Sequence, residues 1–80
     1  MALVWDAFGL AHLVGRGGGR GITPSEVAEV IRSPASTRRR LRGARRAYRG
    51  PTRSGRVLVV VVEVQGSNRL RPWTAWEVTG

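Results

Sequence analysis

The segment "GPTRSGRVLVVVVEVQGSN" (residues 50–68) decides how this chain is read. Its centre, "VLVVVVEVQ" (57–65), is β-branched at most positions and has no helical spacing, so it reads as a strand. Apolar residues fall on both of its faces over most of its length. That is expected of a central strand covered on both sides, or of one whose second face awaits a partner. "GPTRSG" (50–55) before it and "QGSN" (65–68) after it carry turn residues, so the strand joins two hairpins. Working outward, further strands are expected at 36–42, 45–50 and 69–78, completing a four-stranded antiparallel meander. Pro72 removes a ladder donor from the last strand and predicts an edge or a bulge there. Trp73 and Trp76 are three residues apart, which on a regular strand puts them on opposite faces and leaves at least one exposed.

Upstream, "TPSEVAEVI" (23–31) has Thr23 as a helix N-cap, Pro24 at the first helical position and Glu26 three residues after the cap. This is a capping box with its proline in the favoured place, which assigns Glu26 to capping rather than acid catalysis. Val27, Val30 and Ile31 form one apolar stripe at helical spacing, and Ser33-Pro34 stops the helix. Before it, "VWD" (4–6) reads as a short strand with Asp6 as a cap and Trp5 in the core. Residues 7–14, "AFGLAHLV", suit a short buried helix ended by Gly15. "GRGGGRG" (15–21) reads as a linker: no Lys-Ser or Lys-Thr closes it as a phosphate loop, and Arg20 stands where a dinucleotide fingerprint needs its third glycine. The expectation is a single α+β domain over residues 1–80, with two short N-terminal helices packed on a mainly antiparallel sheet of four to five strands.

Charge is distributed unevenly along the chain. Residues 38–56, "RRRLRGARRAYRGPTRSGR", hold nine arginines and no acid, which accounts for the whole net charge of +9. The chain has no lysine, a feature that GC-rich coding explains, but coding bias does not explain the clustering. If the run forms two strands, its arginines fall on both faces and repel unless anions or carboxylates lie against them. Three explanations are open: a solvated basic face without a specific role, a surface for phosphates, and a dock for an acidic protein partner. Arginine suits phosphate because its planar fork grips two oxygens at once. Basic residues interleaved with aromatics hold single-stranded RNA by charge and stacking, which selects Arg45, Arg46, Tyr48, Arg49, Arg69, Arg71 and Trp76 as RNA-binding candidates.

Other classes are narrowed by composition. The absence of cysteine excludes disulfides, thiolate chemistry and the usual zinc sites, and suits a reducing compartment. No metal-ligand cluster or paired carboxylate stands out, so neither metal nor cofactor is expected. The longest apolar run, Val57–Val62, is too short to span a bilayer. The N-terminus lacks a charged leader followed by an apolar run, so no membrane association and a cytoplasmic location are expected. His12 is the only imidazole, to be read either as a packed structural residue or as a proton-transfer group. RNA cleavage needs no metal in principle, because the ribose 2′-OH is an internal nucleophile and arginines stabilise charge on the phosphate.

The order "VWD", "RGITPSEVAEVI", "YRGPTRSGRVLVVVVEV" and "RLRPWTAWEV" resembles the BrnT-like toxins of bacterial type II toxin–antitoxin systems, which have a RelE-like fold. The likeness runs over nearly the whole chain, and its most specific element is the Gly-x-Thr-x-x-Gly-Arg hairpin at 50–56. It implies a small metal-independent endoribonuclease, neutralised by a cognate antitoxin and found as a dimer or a toxin–antitoxin hetero-oligomer. On that reading Arg53 and Arg56 flank the hairpin tip and, with Arg49, bind phosphate and stabilise the transition state, while His12 transfers a proton. The chain differs from the family pattern at Arg20, where relatives carry histidine, and at Trp76, where they carry arginine. The alternative is therefore a non-catalytic, degenerate toxin that binds nucleic acid or an acidic antitoxin.

Overall fold

The valine-rich segment forms the middle strand of a five-stranded sheet. In the computed structural model, which describes residues 2–4, 21–66 and 68–78, the strands are β1 (Ala2–Leu3), β2 (Thr37–Arg40), β3 (Arg45–Pro51), β4 (Val57–Gln65) and β5 (Arg69–Glu77), in the order β1-β5-β4-β3-β2. From β2 to β5 all neighbours are antiparallel, and the two-residue β1 lies parallel to β5. One helix, α1 (Pro24–Arg32), packs on this sheet against β3 and β4. The result is an α+β fold. The expected first helix at 7–14, the loop up to residue 20, and Trp5, Asp6 and His12 lie outside the described residues. A short strand is present at Ala2–Leu3, extended by the Val4 N–H donating to Leu70 O at 2.8 Å.

The helix begins where its sequence signals place it. The Thr23 hydroxyl accepts from the Glu26 N–H, and the Glu26 carboxylate accepts from the Thr23 N–H, each at 3.1 Å. Two of the amides that a helix start leaves without partners are thereby satisfied. At the other end Ser33 is already extended, as a residue before proline prefers.

Every second residue of β4 faces the helix. Leu58, Val60 and Val62 are fully buried and form one cluster with Val27, Val30, Ile22, Tyr48, Leu70 and Ala75. The register explains the membership: Tyr48 and Ala75 flank Val60 on its two sides, and Leu70 stands opposite Val64. Each such aliphatic side chain contributes about 1.5–3 kcal/mol by leaving water.

Two glycines of the hairpin region have specific tasks. Gly55 has φ +89° in the tight β3–β4 connection, where the Gly55 N–H donates to Thr52 O and the Thr52 N–H to Arg56 O. This is the three-residue hairpin built on a type I turn, whose last position demands a left-handed residue. Gly50 is needed for space: a Cβ there would lie 2.9 Å from Ser36 Cα. Ser36 is held in that place by its hydroxyl, which donates to Val30 O at 2.6 Å.

Two substitutions test this arrangement. Leu58→Ala should cost about 2–5 kcal/mol through the cavity it leaves. Gly50→Ala should cost about 1–3 kcal/mol, because the backbone of the α1–β2 connection must move away. Both are read by urea denaturation, and a loss below about 0.5 kcal/mol at either position contradicts the packing described.

Candidate nucleic-acid interface

The face of the sheet opposite α1 carries most of the residues that the sequence singled out. β3 contributes Arg45, Ala47 and Arg49, and β2 contributes Thr37 and Arg39 beside them. On β4 the same face shows Val59, Val61 and Glu63. On β5 it shows Arg69, Arg71, Thr74 and Trp76, opposite Gln65, Glu63, Val61 and Val59. Arg39, Arg45, Arg49 and Arg69 are exposed, and Arg71 is half-buried.

Trp73 joins this face through a β-bulge. The register passes from Val61↔Thr74 to Val62↔Pro72, so Trp73 is the extra residue on β5. An extra residue shifts the alternation by one. The expectation that Trp73 and Trp76 point to opposite faces is therefore wrong, whereas the bulge expected at Pro72 is present. Trp73 is 37% and Trp76 40% exposed. The Arg45 guanidinium lies over the Trp73 ring at 4.1 Å from its centre, a cation–π contact that holds the arginine flat on the sheet. Trp73 and Arg39 are site residues that the sequence reading did not select. Strand register was the missing signal for both.

Two of the RNA-binding candidates are on the other side. Tyr48 is 5% exposed and belongs to the core cluster, so its ring offers no stacking surface. Arg46, two residues away and on the same helix-bearing face, donates to the Tyr48 hydroxyl at 3.0 Å. Alternation along β3 is the physical reason: Arg45 and Arg49 face one way, Arg46 and Tyr48 the other.

The hairpin tip divides its two arginines in another manner. Arg53 has its side chain exposed, and its backbone N–H donates to Glu29 of α1 at 3.1 Å. Arg56 turns inward. Its Nη1 donates to both Glu26 oxygens at 3.1 Å and to Gly21 O at 3.2 Å, while its Nε donates to Glu77 Oε1 at 3.1 Å. The side chains of Arg56 and Glu26 are each only 15% exposed. Burial by itself lowers the Arg56 pKa, but the hydrogen bond to Glu77 and the charges of Glu26 and Glu77 outweigh it. The net direction is upward, so the guanidinium remains charged. A cation already shared by two carboxylates has little capacity left for phosphate, which sets Arg56 apart from the exposed arginines. His12, the remaining catalytic candidate, lies outside the described residues.

The acids on the arginine-bearing face are few. Glu63 lies 3.8 Å from Arg71 Nε and accepts from Gln65 Nε2 at 3.1 Å. Among the described residues no group of His, Asp and Glu is placed to hold a metal ion, and no helix is long and apolar enough to cross a membrane. No protein-family model, curated protein or solved structure matches the chain. What stands beside the sequence resemblance is a small α+β fold with, among the described residues, one helix on a mainly antiparallel sheet.

The two hairpin arginines should separate in a stability measurement. Arg56→Met removes the guanidinium that Glu26 and Glu77 share at the partly buried hairpin and should cost about 2–3 kcal/mol. Arg53→Ala should stay within about 0.5 kcal/mol of the parent. A cycle of Arg56→Met with Glu77→Gln should be markedly less than additive, and additivity refutes the shared contact.

Proposed function

We propose that this chain binds single-stranded RNA across the sheet face that carries Arg39, Arg45, Arg49, Arg69, Arg71, Trp73 and Trp76. The observation that carries the reading is the bulge at Trp73. It puts two exposed indoles on one face, among exposed arginines on three strands. Arginines neutralise phosphates and release counterions, and aromatic rings accept bases of any sequence by stacking. A solvated basic face with no ligand explains the arginines but gives no reason for two indoles half in water beside them.

The resemblance to BrnT-like toxins extends this reading to RNA cleavage under the control of an antitoxin. Cleavage requires a group to take the 2′-OH proton as well as cations to stabilise the phosphate. Arg53 at the hairpin tip is suited to the second task. For the first, the face offers Glu63 among its described residues, and that carboxylate is engaged by Arg71 and Gln65. The geometry therefore favours the binding module, that is, a toxin-like domain whose surface holds RNA, over the nuclease.

End-labelled RNA incubated with purified protein in EDTA distinguishes the two. The expected result is a gel shift with the RNA intact. Discrete cuts that vanish in Arg53→Ala refute the non-catalytic reading and assign a metal-independent endoribonuclease. Arg45→Ala and Arg49→Ala should each weaken binding and reduce the salt slope by about 0.7. Trp76→Ala should lose about 1–3 kcal/mol of affinity at any RNA sequence. Unchanged affinity in all three variants removes this face as the binding surface.

A further inference from the structure

β2 is the outer strand of the sheet on the side away from β1, and all four of its residues are exposed. Its inner edge is occupied by β3. The Leu41 N–H donates to Arg45 O at 3.0 Å, and the register continues through Arg39↔Ala47 to Thr37↔Arg49. In an antiparallel ladder every second residue bonds to the neighbouring strand. Residues 37, 39 and 41 are therefore the inward set, and the N–H and C=O groups of Arg38 and Arg40 point to the outer edge. The side chains alternate as well: Arg39 rises on the arginine-bearing face, and Arg38 and Arg40 on the helix-bearing face. Arg40 stands directly opposite Arg46, an arrangement that destabilises a strand pair when nothing lies between the charges. Among the described residues the salt bridges are made by Arg56 and Arg71, and none reaches β2.

We propose that the outer edge of β2 receives an extended acidic segment of a partner protein, added to the sheet as a further strand. The distribution of charge between the two faces argues for a peptide. RNA lying on one face reaches Arg39 but not Arg38 and Arg40, and it has no row of amides and carbonyls to pair with theirs. A peptide strand sends successive side chains above and below the sheet. Carboxylates at consecutive positions thus meet Arg39 on one side and Arg38, Arg40 and Arg46 on the other. A second copy of this chain is a poor occupant, because edge-to-edge pairing sets arginine against arginine. The two sites share Arg39; the rest of the RNA-binding face, the indoles and arginines of β3 and β5, lies apart from the outer edge of β2.

The test uses a fluorescent peptide of about ten residues with a core of Glu-Asp-Glu-Asp-Glu and threonine and valine flanks, read by anisotropy on the full chain. Two further peptides carry N-methyl groups on alternate residues, one on the odd set and one on the even set. A strand that pairs along one edge tolerates one set and not the other, so one peptide should bind like the parent and the other about tenfold or more weaker. The double variant Arg38→Glu, Arg40→Glu should lose the same factor, with its fold checked by thermal melting. Equal binding of both methylated peptides reduces the interaction to unspecific charge and overturns the proposal. So does failure of the parent peptide to bind, or its loss on Trp76→Ala, which places it on the sheet face with RNA.

Discussion

Arg56 ties together three parts of the chain that are far apart in sequence. Its guanidinium joins the hairpin to the N-terminus of α1 through Glu26, to the end of β5 through Glu77, and to the segment entering the helix through Gly21 O. Glu26 is already the capping residue of α1, so one carboxylate both starts the helix and anchors it to the sheet. Ser54 adds a contact to the same carboxylate at 3.4 Å, and Arg53 N–H reaches Glu29 one turn further on. The helix is short and would be marginal in isolation. Its position over β3 and β4 is set by its apolar stripe, and its rotation and register by this ionic end.

The same contacts give physical content to the Gly-x-Thr-x-x-Gly-Arg pattern at 50–56. Gly50 makes room for Ser36, the Thr52 hydroxyl accepts from the Arg56 N–H at 3.1 Å, Gly55 supplies the left-handed turn position, and Arg56 makes the clamp. All four fixed positions are accounted for by folding alone. A pattern that looks like an active-site signature is, in this chain, a recipe for docking a hairpin on a helix. The variable positions Pro51, Arg53 and Ser54 are exposed, and Arg53 is the hairpin arginine available to a ligand.

Most of the local structure was legible in the sequence because the signals involved act over a few residues. The capping box names both its partners, the hairpin turn names its glycine, and the run "VLVVVVEVQ" announces a strand with two apolar faces. Facing was harder. Within "RRAYRG" simple alternation separates Arg45 and Arg49 from Arg46 and Tyr48, but only the core shows which side is wet. The bulge at Trp73 depends on how β5 fits against β4, and Pro72 indicates that a break occurs there without saying which residue becomes the extra one. A one-residue slip moves a side chain from one face to the other, so the composition of the candidate site changed more than the strand boundaries did.

The fourteen arginines therefore do not form one population, although all belong to a chain of only eighty residues. Arg56 is consumed by the fold. Arg45 and Arg49 stand with the indoles on one face, and Arg38, Arg40 and Arg46 stand on the other, around the outer strand. Like charges at these separations are tolerable where each head group is in water and its stem lies along the sheet. They are not tolerable in a core, which is why six of the nine arginines of residues 38–56 lie on β2 and β3 while β4, at the centre, carries a single glutamate. The placement that folding permits is also the one that makes the charge available. A strand at the rim exposes arginine on both faces and along its edge at once, so one cluster of sequence gives the sheet two distinct cationic surfaces.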